Sequence, residues 1–116
     1  MPISLTAPDS LRRLAAPLGA IVRAVLAQEE RRLGEIAIVL AGDRELRELN
    51  RAWRRIDRAT DVISFAYDED EPDAGTRPVG GDLVISMERV AGQAKRFRVT
   101  PGTELARLVV HGVLHL

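Results

Sequence analysis

His111 and His115 are the two histidines of the chain, four residues apart in Leu108-Val109-Val110-His111-Gly112-Val113-Leu114-His115-Leu116. On a helix this spacing puts both imidazoles on one face, one turn apart. Two such rings can share one zinc ion at about 2.0–2.1 Å. A catalytic zinc usually has three protein ligands and one open position for water. The chain has no other histidine and no cysteine. The third ligand is therefore expected from a carboxylate or from beyond Leu116. The competing reading is a pair of core histidines bonded to backbone carbonyls. At about 100° per residue, Glu104, Leu108, His111 and His115 fall in one narrow sector. Leu105, Val109, Val110, Val113 and Leu116 cover most of the rest, so the helix resembles a buried one lining a site. Gly112 allows another backbone to come close. It also removes the general base that a His-Glu-x-x-His protease needs after its first histidine.

These histidines end an ordered series. Leu49-Asn50 precedes Trp53-Arg54, and Asp57 precedes Thr60-Asp61-Val62-Ile63-Ser64-Phe65. Gly81-Asp82-Leu83-Val84-Ile85-Ser86 and Gln93-Ala94 follow, then His111-Gly112-Val113-Leu114-His115-Leu116. From about residue 35 onward the series resembles the YbeY group of metal-dependent endoribonucleases, the ribosomal RNA maturation factors. Their signature is His-Gly-x-Leu-His-Leu followed at once by Gly-Tyr-Asp-His. The chain departs at Arg55-Ile56-Asp57-Arg58-Ala59-Thr60, where the group usually has Gly-Lys-Asp-Lys-Pro-Thr.

The resemblance implies one metal-dependent hydrolase domain over residues 1–116, incomplete at its C-terminal end. It implies one zinc ion held by His111, His115 and a histidine beyond Leu116. The implied activity is single-strand endoribonuclease, acting in maturation of the 16S ribosomal RNA 3′ end and in ribosome quality control. The implied partners are single-stranded or ribosomal RNA, ribosomal proteins and a small-subunit assembly GTPase, in the cytoplasm and away from any membrane. A chain ending at Leu116 is expected to hold metal weakly and to be inactive alone. Two other readings stand beside this one. One is a zinc peptidase-like hydrolase, disfavoured by Gly112. The other is a non-enzymatic ribosome-associated protein with a structural metal.

By the same resemblance Arg54 faces the metal cleft and serves catalysis. Cleaving a phosphodiester builds negative charge on the phosphate oxygens, and a guanidinium offers them a fork of donors. Arg44, Arg47, Arg51, Arg54, Arg55 and Arg58 share roughly one side of a helix and its extension, opposite Leu46, Leu49 and Trp53. A solvated face partnered by Glu48 explains such a stripe. The resemblance favours contact of Arg47, Arg51, Arg55 and Arg58 with the RNA backbone. Glu104, two turns before His111, is a candidate for orienting a ligand from behind, or a helix-start carboxylate favoured by the dipole. Asp61, Thr60 and Asp82 read first as turn formers.

Composition narrows the field. Charge is balanced to a net of zero, which argues against a generally basic nucleic-acid coat, so any RNA contact must come from local patches. Aromatics make up 3% of the chain, too few for a stacking platform of the RRM or OB kind. Base reading is therefore not expected. The absence of cysteine fits a reducing compartment. No apolar run approaches the roughly 20 residues of a membrane span. Arg12-Arg13 before an apolar run resembles a leader, but Leu11, Leu14, Ala15, Leu18, Ile21, Val22 and Val25 recur at helical spacing. They read as an amphipathic core helix.

The elements that must position these residues can be read along the chain. A strand is expected at 3–5, then a helix over 10–30 capped by Asp9 or Ser10 and kinked at Pro17. β-Branched residues mark a strand at 35–40. Asp43 is expected to cap a helix that buries Leu46, Leu49 and Trp53. Short strands follow at 62–65 and 82–85, separated by a solvated acidic loop over 67–80. Ser86 starts a helix to about Phe97, and Pro101 opens the histidine helix. The expected class is α+β: a small mixed sheet of about four strands packed with helices, the metal-site helix at the C-terminal end.

Overall fold

The computed structural model of the chain describes residues 2–58, 60–67 and 77–116. Within them lie strands β1 (Ile3–Thr6), β2 (Leu33–Ala41), β3 (Val62–Ala66) and β4 (Val79–Ser86). Helices α1 (Ala15–Gln28), α2 (Asp43–Leu49), α3 (Met87–Phe97) and α4 (Pro101–Leu114) join or follow them. The strands form one sheet in the order β1-β2-β4-β3. β1, β2 and β4 are parallel, and β3 runs antiparallel to β4 along one edge. This is the expected α+β architecture with a mixed sheet. The acidic stretch 68–76 lies outside the described residues.

Strand alternation decides what each face of the sheet covers. Ile36, Ile38 and Leu40 of β2 and Leu83 and Ile85 of β4 point to one face. Leu18, Val22 and Leu26 of α1, Val90 of α3, and Leu105, Leu108, Val109 and Val113 of α4 pack on them to form the main core. The other face is thinly covered. There Leu46 of α2 meets Ile63 and Val84, with Val39, Ala41, Leu49 and Phe65 beside them. The two faces meet at β3: Val62 and Ser64 look toward α4, Ile63 and Phe65 toward α2.

Several expected details differ. The segment expected as one N-terminal helix is a 3₁₀ stretch, Asp9–Leu14, followed by α1. Pro17 lies in the first turn of α1, where an N–H has no intrahelical partner to lose, so it does not kink the helix. Neither Asp9 nor Ser10 caps this segment; Pro8 precedes it without a side-chain cap. Asp43 is the first residue of α2 rather than its cap. The amide of Gly42 donates to Glu45 Oε2 at 3.0 Å. The Asp43 carboxylate instead accepts from Ser86 Oγ at 2.6 Å and Arg89 Nε at 3.1 Å, tying α2 to the start of α3. α4 begins as read, with Pro101 in its first turn and Thr100 Oγ1 accepting from the Thr103 amide at 3.1 Å.

The largest correction concerns Trp53, which is not buried but 71% exposed. After Leu49 the chain widens into a π-helical turn, Asn50–Arg54, closed by the Arg55 amide on the Asn50 carbonyl. The wider turn changes the phase of the helix. Asn50 rotates inward to 3% exposure, where its Nδ2 donates to the Arg58 carbonyl at 3.0 Å. Trp53 is turned outward. Arg55, at φ 57°, then ends the turn in the left-handed region.

Candidate active site

α4 crosses the sheet so that its C-terminal half faces edge strand β3. Gly112 makes that approach possible. A Cβ at this position would lie 2.9 Å from Leu83 Cδ2, so the fully buried Leu83 side chain would have to shift. The bare backbone instead lets Ser64 Oγ donate to the Gly112 carbonyl at 3.1 Å. β3 is thereby held against the stretch of α4 between the two histidines.

His111 and His115 are both exposed, with ring centroids 4.4 Å apart. Among the described residues no hydrogen bond engages either ring, so neither imidazole donates to a core carbonyl. Both rings line a cleft of about 310 Å³ together with Arg54, Val62 and Ser64. Arg54 reaches it from the π-helical turn. Among the described residues Arg54 has no ion pair, while Arg44, Arg47, Arg89 and Arg107 each have a carboxylate partner. Among the described residues the cleft thus holds two adjacent imidazoles and a guanidinium without an ion pair, and none of them places a carboxylate in its lining.

The arginine stripe divides. Arg47 Nε and Nη2 bond the two carboxylate oxygens of Asp57 at 2.8 and 3.3 Å. This hydrogen bond, more than charge alone, holds the Asp57 carboxyl below its usual range and raises the Arg47 guanidinium. Arg47 and Arg58 border a separate hollow with Asp43, Arg44 and Asp57. Arg51 and Arg55 are exposed and line neither hollow. The structure therefore brings His111, His115 and Arg54 together and leaves Arg47 and Arg58 apart from them.

Glu104 is 1% exposed, but its partners are not the histidines. Arg107 donates to both of its oxygens at 2.7 Å, and Gln93 Nε2 donates at 2.5 Å, joining α3 to α4. The Arg107 bonds first, then Gln93, hold the Glu104 carboxyl below its ordinary value of 4.5 against the opposing cost of burial. A lowered folded value contributes stability above 4.5 that is lost as pH falls through it. Denaturant unfolding is therefore expected to show stability falling below pH 4.5. Glu104→Gln should cost about 1–3 kcal/mol at neutral pH and flatten that acid limb. An unaltered acid limb in the variant would show that Glu104 does not cause it.

Two residues of the cleft lining, Val62 and Ser64, were not expected as site residues. Ser64 gave no signal beyond its place as a polar residue between Ile63 and Phe65, where alternation puts it on the α4 side. Asp61 behaves as read: its carboxylate accepts from the Val62 amide at 2.8 Å and its carbonyl from the Ser86 amide at 2.9 Å.

The fold and cleft define a small α+β protein that gathers a two-histidine helix and an arginine at the edge of a mixed sheet. The chain belongs to the Endoribonuclease YbeY family, whose model matches residues 7–116. An Endoribonuclease YbeY from Anaeromyxobacter sp. (strain Fw109-5) is 45% identical over 90% of this chain and 53% of its own length. One from Chloroflexus aggregans is 40% identical over 98% of this chain and 78% of its own. The solution structure of TM1509 from Thermotoga maritima superposes with a TM-score of 0.63 at 27% identity, covering 98% of this chain and 71% of that one. The chain spans about half the length of curated relatives that it matches, 53% and 36% for those from Anaeromyxobacter and Myxococcus xanthus. Among the described residues no helix is long and apolar enough to cross a membrane.

Proposed function

We propose that the cleft between α4 and β3 is the active site of a zinc-dependent endoribonuclease acting on single-stranded RNA. One observation carries the reading: an unpaired arginine and two exposed, adjacent imidazoles line the same cleft. The donor chemistry fits zinc in part. Two imidazoles one turn apart suit it, and no group of three or more His, Cys, Asp or Glu suited to a metal occurs among the described residues. His111 and His115 would thus supply two ligands, with the remaining positions left to water or to donors outside these residues. Bound there, zinc supplies an acidified water and a Lewis acid for the phosphate.

The chain's own residues supply the rest. Arg54 orients the scissile phosphate through paired donors and stabilises its growing charge. Ser64 holds the helix and strand at fixed separation through the Gly112 carbonyl. Arg51 and Arg55 extend positive charge along the approach, and Arg47 and Arg58 contribute more distantly. Family membership supports an RNA substrate; the proposal extends this, on the sequence resemblance, to ribosomal RNA, in 16S 3′-end maturation and ribosome quality control in the cytoplasm. Ribosomal proteins and an assembly GTPase, which the sequence resemblance implies, complete the proposal as partners. Among the described residues the cleft lining has no carboxylate to serve as the base of a peptidase. Exposure of both rings disfavours a purely structural metal.

An end-labelled RNA with one single-stranded and one duplex segment tests the reading. The gene product with zinc is expected to cut the single-stranded segment and spare the duplex. Equal cutting of both segments, or cutting only in the duplex, would contradict it.

A further inference from the structure

Edge strand β3 separates two hollows, and consecutive residues are divided between them. Arg54 and Ser64 line the histidine cleft, whereas Trp53 and Phe65 line a groove of about 390 Å³ on the opposite face. The groove exists because α2 is short and the π-helical turn swings Trp53 outward. Trp53 meets Phe65 edge-on, with centroids 6.2 Å apart at 69°. Val39, Leu49 and Val84 form the apolar floor. Asp82 is the charged residue in the lining, its carboxylate accepting from the Tyr67 hydroxyl.

We propose that this groove holds a nucleobase of the RNA strand whose phosphate lies at Arg54, the base stacking on Trp53. The proposal rests on the RNA-cleavage reading of the cleft. An exposed indole suits any base, because every base has a π-face. The Asp82 carboxylate repels phosphate and keeps the backbone on the arginine side of the strand. Trp53 and Arg54 are consecutive and line the two hollows on either side of β3, so one strand crossing the sheet edge meets both side chains. Exposed Arg51 and Arg55 surround the same turn. Such a groove grips a base without reading its identity, since its floor is apolar. One tryptophan and one phenylalanine suffice for one stacked base without a platform of the RRM or OB kind.

Trp53 is the single tryptophan of residues 1–116, so the difference in emission between wild type and Trp53→Phe isolates the signal of this groove. The gene product is titrated with single-stranded oligoadenylate and with an abasic ribose-phosphate strand of equal length. Binding is followed separately by anisotropy of an end label. Oligoadenylate is expected to quench the emission, and the abasic strand to bind without quenching and at least about fivefold more weakly. Trp53→Ala should weaken oligoadenylate binding by about fivefold to a hundredfold, and Trp53→Phe should retain most of it. Equal binding of both strands, or binding of oligoadenylate with unchanged emission, would overturn the base site and leave the cleavage reading intact. Binding of neither strand would overturn both. A concentration-dependent blue shift without RNA would assign the groove to a second copy of the chain and overturn the proposal.

Discussion

Alanine at His111 or His115 is expected to abolish RNA cleavage by the gene product and to remove its zinc. Each ring is one of two donors on the same helical face, so losing either leaves a single nitrogen. A metal at such a site supplies several kcal/mol of charge stabilisation, and each 1.36 kcal/mol is tenfold in rate. The expected loss is therefore about three orders of magnitude or more. Stability should barely change, because both rings are exposed and engage no hydrogen bond among the described residues. Cleavage gels, zinc calorimetry and thermal melts on the same samples check all three. Residues 1–116 alone, gathering two donors, are expected to bind zinc weakly. Cleavage that survives the substitution, or zinc retained at wild-type affinity, would remove the histidines from the mechanism.

Arg54→Ala should leave zinc content unchanged and lower cleavage by roughly two to three orders of magnitude, the loss seen when comparable electrostatic donors are removed. The guanidinium has no ion pair among the described residues, so its charge is available to the phosphate. Arg54→Lys should recover only part of the rate, since an ammonium lacks the planar fork. Arg47→Ala is the comparison. Arg47 is already bonded to Asp57 and borders the other hollow, so its loss should mainly give weaker and more salt-sensitive binding. The readouts are kcat and KM on one RNA at two salt concentrations. If both variants lose affinity alone, Arg54 belongs to the binding face and has no part in the chemical step.

Local patterns carried much of this architecture. The β-branched residues Ile36, Ile38 and Val39 marked β2, and Pro101 marked the start of α4. The four-residue spacing of His111 and His115 was enough to put both rings on one face. What was not legible depends on contacts between distant segments. Trp53 was expected inside because the helix was counted at a uniform 3.6 residues per turn. The π-helical turn that exposes it is held by Asn50, whose side chain bonds the Arg58 carbonyl, and no local propensity encodes that bond. Glu104 shared the histidine sector by angle. Its actual partners depend on Gln93 arriving from α3, which only the packing of α3 on α4 decides. The arginine stripe looked continuous for the same reason as Trp53 looked buried. The widened turn splits it between two hollows.

The account's central claim is that one cleft brings a metal and Arg54 to the same phosphate. A crystal structure of the gene product with zinc and a non-cleavable single-stranded oligonucleotide tests it most directly, read by the anomalous signal at the zinc edge. The account predicts a peak within about 2.0–2.1 Å of a nitrogen of both His111 and His115, with a phosphate between that peak and the Arg54 guanidinium. A peak elsewhere, or a backbone bound only beside Arg47 and Arg58 with the histidine cleft empty of phosphate, would contradict it.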